Sequence, residues 1–183
     1  MLIALALLDD VPIMTIAFDN ASVPPQPVKW ELDRVLVISS VLGLLGVIQS
    51  FELLYLGDTL HHLGHPQLQT MMFLQLVAGG HLMLFVTRTR GALWRPPYPS
   101  SKLFFAIVAT QIAAIVMCSQ GWLVPSLAWK IIGFVWAYNL VWMIVQDIVK
   151  LAVYGILDQT RSWKRSIFQP LRAPMIDRQK VFR

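Results

Sequence analysis

The chain has 183 residues, of which 56% are hydrophobic and 14% are charged, and its mean hydropathy is +0.60. A soluble domain of this length does not need so much apolar surface, so the composition favours a membrane protein. One cysteine, Cys118, excludes a disulfide framework within the chain and a zinc site built on several cysteines.

Apolar stretches divide the sequence and predict an all-α membrane protein with about five transmembrane helices. The first stretch covers residues 1–18 and is the shortest, so we expect its helix to be truncated. The others are close to the roughly 20 residues that cross the hydrocarbon core. They are 35–57, 68–87, 103–123 and 131–154.

Two adjacent carboxylates, Asp9 and Asp10, lie inside the first apolar stretch, and Pro12 follows. A mid-membrane carboxylate costs about 2.5–3.5 kcal/mol even on lenient scales, which argues against a lipid-facing pair. Pro12 cannot donate to the carbonyl of Leu8, so we expect the helix to be broken near Pro12. An acid beside an opened helix is typical of transporter ion sites. The alternative is that both acids lie near the membrane surface.

Basic residues predict the orientation. All of the 15 Lys and Arg residues except Lys130 fall on one side of an alternating five-span arrangement. The positive-inside rule then places the links 19–34 and 88–102 in the cytoplasm. We therefore expect a transmembrane transport and support domain at 1–158 and a short basic cytoplasmic tail at 159–183. The first helix would run inward from outside, and upstream helices would precede it.

Polar side chains also interrupt the later stretches. Glu52, near the outer end of the second stretch, could line an ion path or reach the interface. His81 follows two glycines, so we expect it to bond across a close helix contact rather than bind a metal. In the last stretch, packing and anchoring are the expected role of Asn139, Gln146, Asp147 and Lys150. Of these, Asp147 and Lys150 can pair across three residues.

Sequence motifs for catalysis are not found. The histidines at 61, 62 and 65 fit a solvated loop better than a metal site, and there is no phosphate-binding loop, nucleophile elbow or zinc-protease pattern. We expect no catalytic residue, no metal and no cofactor in this chain, and nothing indicates nucleic acid.

Three segments carry a resemblance to a known family. The segment ALLDDVPIMTIAFDNASVPPQPVKWEL (residues 6–32) resembles the end of the sixth membrane helix and the following loop of plasma-membrane proton-pumping P-type ATPases. FLQLVAGGHLMLFVTRTRGALW (73–94) resembles their eighth helix. WAYNLVW (136–142) with DIVK (147–150) resembles the tenth. The resemblance covers roughly residues 1–158.

This resemblance implies that the chain is the C-terminal membrane sector, helices six to ten, of a proton-exporting pump. Asp10 matches the family's proton-binding carboxylate, whereas Asp9 stands where asparagine is usual. Partners would be the lipid bilayer of the cell (plasma) membrane and the missing N-terminal helices and cytoplasmic domains. ATP and Mg are implied for the complete pump alone.

Two alternatives to this reading remain open. The phosphorylation motif Asp-Lys-Thr-Gly-Thr is not in the sequence, so we expect no ATP hydrolysis by this chain alone. It could instead be a free-standing non-catalytic helical membrane protein or an accessory subunit. It could also belong to a magnesium or other cation pump of the same superfamily.

Overall fold

The computed structural model describes residues 2–20, 32–60 and 62–168, with side chains as far as residue 159. Most of the proline-rich link with Trp30, the loop residue His61 and the tail residues 169–183 lie outside this part of the chain. The described residues contain five α-helices and no strand, which confirms the all-α class. The helices are α1 (Leu2–Thr15), α2 (Leu32–Thr59), α3 (His65–Thr87), α4 (Ser101–Gln120) and α5 (Trp129–Phe168).

Four of these helices, α2 to α5, are long and apolar enough to cross a membrane. Helix α1 has 14 residues and continues into a short 3-10 turn, Ile16–Phe18. At 1.5 Å per residue it is about 21 Å long, less than the roughly 30 Å of the hydrocarbon core. The expectation of a short first helix agrees with this structure.

The expected break near Pro12 is wrong, because α1 continues through the proline to Thr15. The loss of one backbone hydrogen bond is tolerated in a membrane helix when neighbouring groups satisfy the freed carbonyl. Here the Leu8 carbonyl faces the ring of His81 on α3. Oγ1 of Thr15 donates to the carbonyl of Pro12 at 2.7 Å, which also stabilises this end of the helix.

Helix α5 is longer than its apolar stretch. The stretch ends near Tyr154, yet the helix runs to Phe168, so residues 159–168 of the expected tail continue it. The tail is therefore helical where it leaves the bundle.

Helix α3 lies at the centre of the bundle and contacts each of the other four helices. It is apolar around most of its circumference, as expected of a helix with neighbours on several sides. Its buried side chains pack against α2, α4 and α5. The core includes Leu53, Met71, Phe73, Leu74, Val77, Ala114, Cys118 and Val135.

A buried ion pair joins the end of α1 to the connection between α3 and α4. Nε of Arg88 donates to Oδ2 of Asp19 at 2.9 Å, and the backbone N–H of Ser100 donates to Oδ1 at 2.9 Å. Burial alone would raise the pKa of the Asp19 carboxyl, but the hydrogen bonds and charge of Arg88, with the Ser100 N–H, hold that pKa below its ordinary value.

A second ion pair lies at the same end of the bundle and is exposed. Nη2 of Arg34, at the start of α2, lies 2.7 Å from Oδ1 of Asp158 on α5. The links that the basic residues predict to share one side of the membrane are thus at one end of the bundle.

Replacing Asp19 tests the buried pair. Asp19→Asn should lower the free energy of unfolding by about 2–4 kcal/mol, because a guanidinium that is only 9% exposed loses its anionic partner. The measurement is equilibrium unfolding of the full chain in mixed detergent micelles. The difference from wild type should shrink as the pH falls below 3.8, because the lowered pKa stabilises the fold only while the carboxyl is ionised.

Asp158→Asn is the matched control, since that carboxylate is 64% exposed. Exposed ion pairs contribute about 0–1 kcal/mol, so this variant should unfold nearly as wild type does. Equal losses in the two variants would contradict the assignment of Asp19 as the stabilising carboxylate.

Candidate functional site

The two carboxylates of α1 point in different directions, as expected for neighbouring helical positions. Asp9 turns towards α3 and its side chain is 34% exposed. Asp10 is exposed on a side of α1 that the described helices do not cover. The two acids therefore occupy separate environments.

His81 of α3 faces Asp9 from inside the bundle. Its ring is almost completely buried, and Nε2 lies 3.4 Å from Oδ1 of Asp9. Neither atom has a hydrogen bond of ordinary geometry with any described residue. Two buried polar atoms thus meet across the α1–α3 contact, where each could satisfy the other.

Gln111 of α4 holds the opposite side of the His81 ring. Nε2 of Gln111 lies 2.8 Å from Nδ1 of His81, and it also donates to the backbone carbonyl of Val77 at 3.2 Å. The histidine is therefore fixed between α4 and α1. This contact links three helices at the level of the aspartate pair.

A network of amide side chains joins α2, α3 and α5. Nε2 of Gln49 donates to Oδ1 of Asn139 at 2.9 Å, and Nδ2 of Asn139 donates to Oε1 of Gln75 at 2.6 Å. Gln146 donates to Gln49 at 2.8 Å. All four side chains are buried, so their polar groups are paired within the protein rather than with lipid.

The acid Glu52 lies at the exposed edge of this network. The hydroxyl of Tyr138 lies 3.0 Å from Oε2 of Glu52 and 2.8 Å from the backbone oxygen of Gln49, and can donate to either. Glu52 itself is exposed. It therefore borders the interior polar groups without being one of them.

Asp147 and Lys150 form a fully buried ion pair near the other end of α5. Nζ of Lys150 lies 2.7 Å from Oδ1 of Asp147 and donates to the carbonyls of Val86 and Gly91, each at 2.8 Å. The backbone N–H of Leu93 donates to Asp147 at 3.1 Å. The pair fastens the connection after α3 to α5.

An open cavity of about 410 Å³ lies between α2 and α3 and reaches the amide network. Glycines on both helices and three of the network's glutamines line it. The polar and small residues in its wall include Gly46, Gln49, Gln75, Gly79 and Gln146. No group of three His, Cys, Asp or Glu side chains among the described residues is arranged to hold a metal ion.

The sequence was compared with known proteins, and no family model matches it. A protein of Methanocaldococcus jannaschii named as a cation-transporting ATPase is 40% identical over 151 residues, covering 82% of this chain. Proton ATPase 1A of Leishmania donovani is 30% identical over 86% of the chain. Plasma membrane ATPase 2 of Saccharomyces cerevisiae is 30% identical over 85%.

The chain belongs to the P-type cation and proton ATPases. It spans only 19%, 19% and 15% of the length of these three relatives. Together with its four membrane-length helices, this shows that the chain corresponds to part of the membrane sector of such an ATPase.

Sequence reasoning singled out Gln146 but not the other three buried glutamines of this P-type ATPase segment. Gln49, Gln75, Gln111 and Gln146 all lie inside apolar stretches and are buried. A buried amide without a partner is costly, so each of the four was itself a signal of an interhelical contact. Their partners lie on other helices, at separations that no local pattern reveals.

Gly79 tests the packing of the amide network in the P-type ATPase segment. A Cβ atom at Gly79 would lie 3.1 Å from Oδ1 of Asn139 and 3.4 Å from Nε2 of Gln75. Asn139 is held by several hydrogen bonds and cannot easily move. Gly79→Ala should therefore destabilise the full chain by about 1–3 kcal/mol, measured by unfolding in mixed micelles.

Gly43 provides the matched control on α2, because a Cβ atom there meets nothing within 4 Å. Gly43→Ala should change the free energy of unfolding by less than about 0.5 kcal/mol, or stabilise slightly. If Gly79→Ala were as harmless as Gly43→Ala, the network would not be tightly packed around Gly79.

Proposed function

We propose that this segment is the transport portion of a P-type ATPase that exports protons across the plasma membrane, with Asp10 as the proton carrier. The observation that carries the proposal is the carboxylate pair on α1, with Asp9 facing His81 and Asp10 facing away from the bundle. Relatives named as proton and plasma membrane ATPases, 30% identical over most of the chain, support protons as the ion.

The exposure of Asp10 supports a position on a transport path. A carboxylate at membrane depth is costly when lipid surrounds it, so protein or water must border Asp10 in the working molecule. Helices that precede α1 in the complete pump would provide that border. A carboxyl group there can exchange a proton as its surroundings change between water and protein.

Energy for export would come from the rest of the pump. Moving one charge against 100 mV costs about 2.3 kcal/mol, and a proton-binding carboxylate cannot supply it. We propose that this segment does not hydrolyse ATP by itself and that ATP and Mg act on the cytoplasmic domains of the complete pump. The end of the bundle with Arg88 and Asp19 would face the cytoplasm, in line with the positive-inside rule.

Asp10→Asn in the complete pump should abolish ATP-driven proton transport, because an amide cannot bind and release a proton. Transport is measured as quenching of a pH-sensitive dye in vesicles that contain the pump. Asp58→Asn is the control, since Asp58 is an exposed carboxylate in the last turn of α2, away from α1. Undiminished proton transport by Asp10→Asn would remove the central claim.

A free-standing non-catalytic membrane protein is the second candidate, and the closed network between α2, α3 and α5 favours it. Those helices satisfy their buried amides without any further partner. A self-sufficient protein should be a single monodisperse species in mild detergent. A segment that has lost the partners of α1 should self-associate through the exposed face of that helix, as size-exclusion chromatography with light scattering would detect.

A further inference from the structure

The hydrogen bonds of Gln111 determine which nitrogen of His81 carries a proton. The side-chain nitrogen of Gln111 can only donate, and it contacts both the carbonyl of Val77 and Nδ1 of His81. Turning the amide over would place its oxygen against the carbonyl oxygen of Val77, two acceptors at 3.2 Å. Nδ1 of His81 must therefore accept, and the ring proton lies on Nε2, on the side of the ring that faces Asp9 and the carbonyl of Leu8.

A doubly protonated His81 conflicts with this arrangement. A proton on Nδ1 would point at the Gln111 nitrogen only 2.8 Å away, so two donors would meet in a buried site. The carboxylate of Asp9 can take up a proton without bringing two donors together. Its Oδ1 faces Nε2 of His81 and has no other partner among the described residues. An incoming proton is therefore directed to the carboxylate.

We propose that Asp9 and His81 form a single-proton site beside Asp10, in which His81 remains a neutral Nε2–H donor, Gln111 positions it, and the proton binds to Asp9. With Asp9 ionised the pair carries one negative charge, and uptake of one proton by the carboxylate neutralises it. When Asp9 releases the proton, the pair regains its negative charge. The number of protons on His81 does not change during uptake or release. The proposal rests on the proposed function only for the use of this proton in transport.

The other titratable groups around the site leave this assignment to Asp9. Asp10 is its neighbour on α1, but its side chain is exposed on a side of that helix that does not face His81. On α4, which contributes Gln111, the titratable groups are Lys102 and Cys118, about two turns or more away along the helix. On α5 the ion pair of Asp147 and Lys150 contacts Val86 and residues 91–93, beyond the level of His81.

Nitrogen-15 NMR of the full chain, labelled at histidine and reconstituted in phosphatidylcholine–phosphatidylglycerol vesicles, tests the tautomer directly. His81→Gln assigns the signal. We expect His81 to keep one proton, on Nε2, from pH 8 to pH 5. A proton on Nδ1, or a doubly protonated His81 at pH 5, would overturn the proposal.

Gln111→Glu is the matched variant, because it keeps the shape of the side chain and replaces the donor with an acceptor. His81 should then become doubly protonated at pH 7, with Nδ1 donating to Glu. An unchanged tautomer in a folded Gln111→Glu chain would contradict the positioning role of Gln111. If the variant does not fold, the wild-type measurement still decides the question.

Infrared spectroscopy locates the proton itself. A carboxylic acid band should appear on acidification of the wild type and be lost in Asp9→Asn. Its pH midpoint should rise by about one unit, a tenfold change in proton affinity, in His81→Leu. The pH midpoint should stay nearer the wild-type value in His81→Gln, because the glutamine amide can still donate to the carboxylate of Asp9. A carboxylic acid band unaffected by Asp9→Asn would overturn this site. The proposed pump function is tested separately, by the transport assay of Asp10→Asn.

Discussion

Pairing of buried polar side chains is the constraint on which this helical bundle depends. Lipid offers no hydrogen bonds, so every amide or charge inside the apolar helices must find its partner in the protein. Helix α3 is the most buried of the membrane-length helices and receives these contacts from α1, α2, α4 and α5. Its glutamine, histidine and backbone carbonyl groups fix the register of each neighbour, while the apolar side chains fill the space between them.

These polar contacts differ between the two sides of α3. Between α2, α3 and α5 the amides are linked by hydrogen bonds of 2.6–2.9 Å. Between α1 and α3 the polar contacts in the described chain are the 3.4 Å approach of Asp9 to His81 and the Leu8 carbonyl that faces the same ring. Just beyond the end of α1, the ion pair of Asp19 and Arg88 adds a shorter polar contact of 2.9 Å.

Features that depend on local sequence were predictable, and features that depend on which helices touch were not. Apolar runs and basic links were sufficient to predict the helices and their common end, and spacing alone paired Asp147 with Lys150. The same local reasoning gave a wrong break at Pro12, because it counted the lost hydrogen bond of Leu8 and not the histidine opposite it. Gln49 and Gln146 are 97 residues apart in the chain, and only the packing of α2 on α5 brings them together.

The length of α5 has a mechanical consequence. Forty residues of helix measure about 60 Å, twice the thickness of the hydrocarbon core. The last helix must therefore either tilt steeply or project well beyond the lipid as a rigid rod. The buried Asp147–Lys150 pair and the Arg34–Asp158 contact hold α5 to its neighbours before the part of the helix that runs on to Phe168. A small rotation of the bundle would then become a displacement several times larger at Phe168, as at the end of a lever arm.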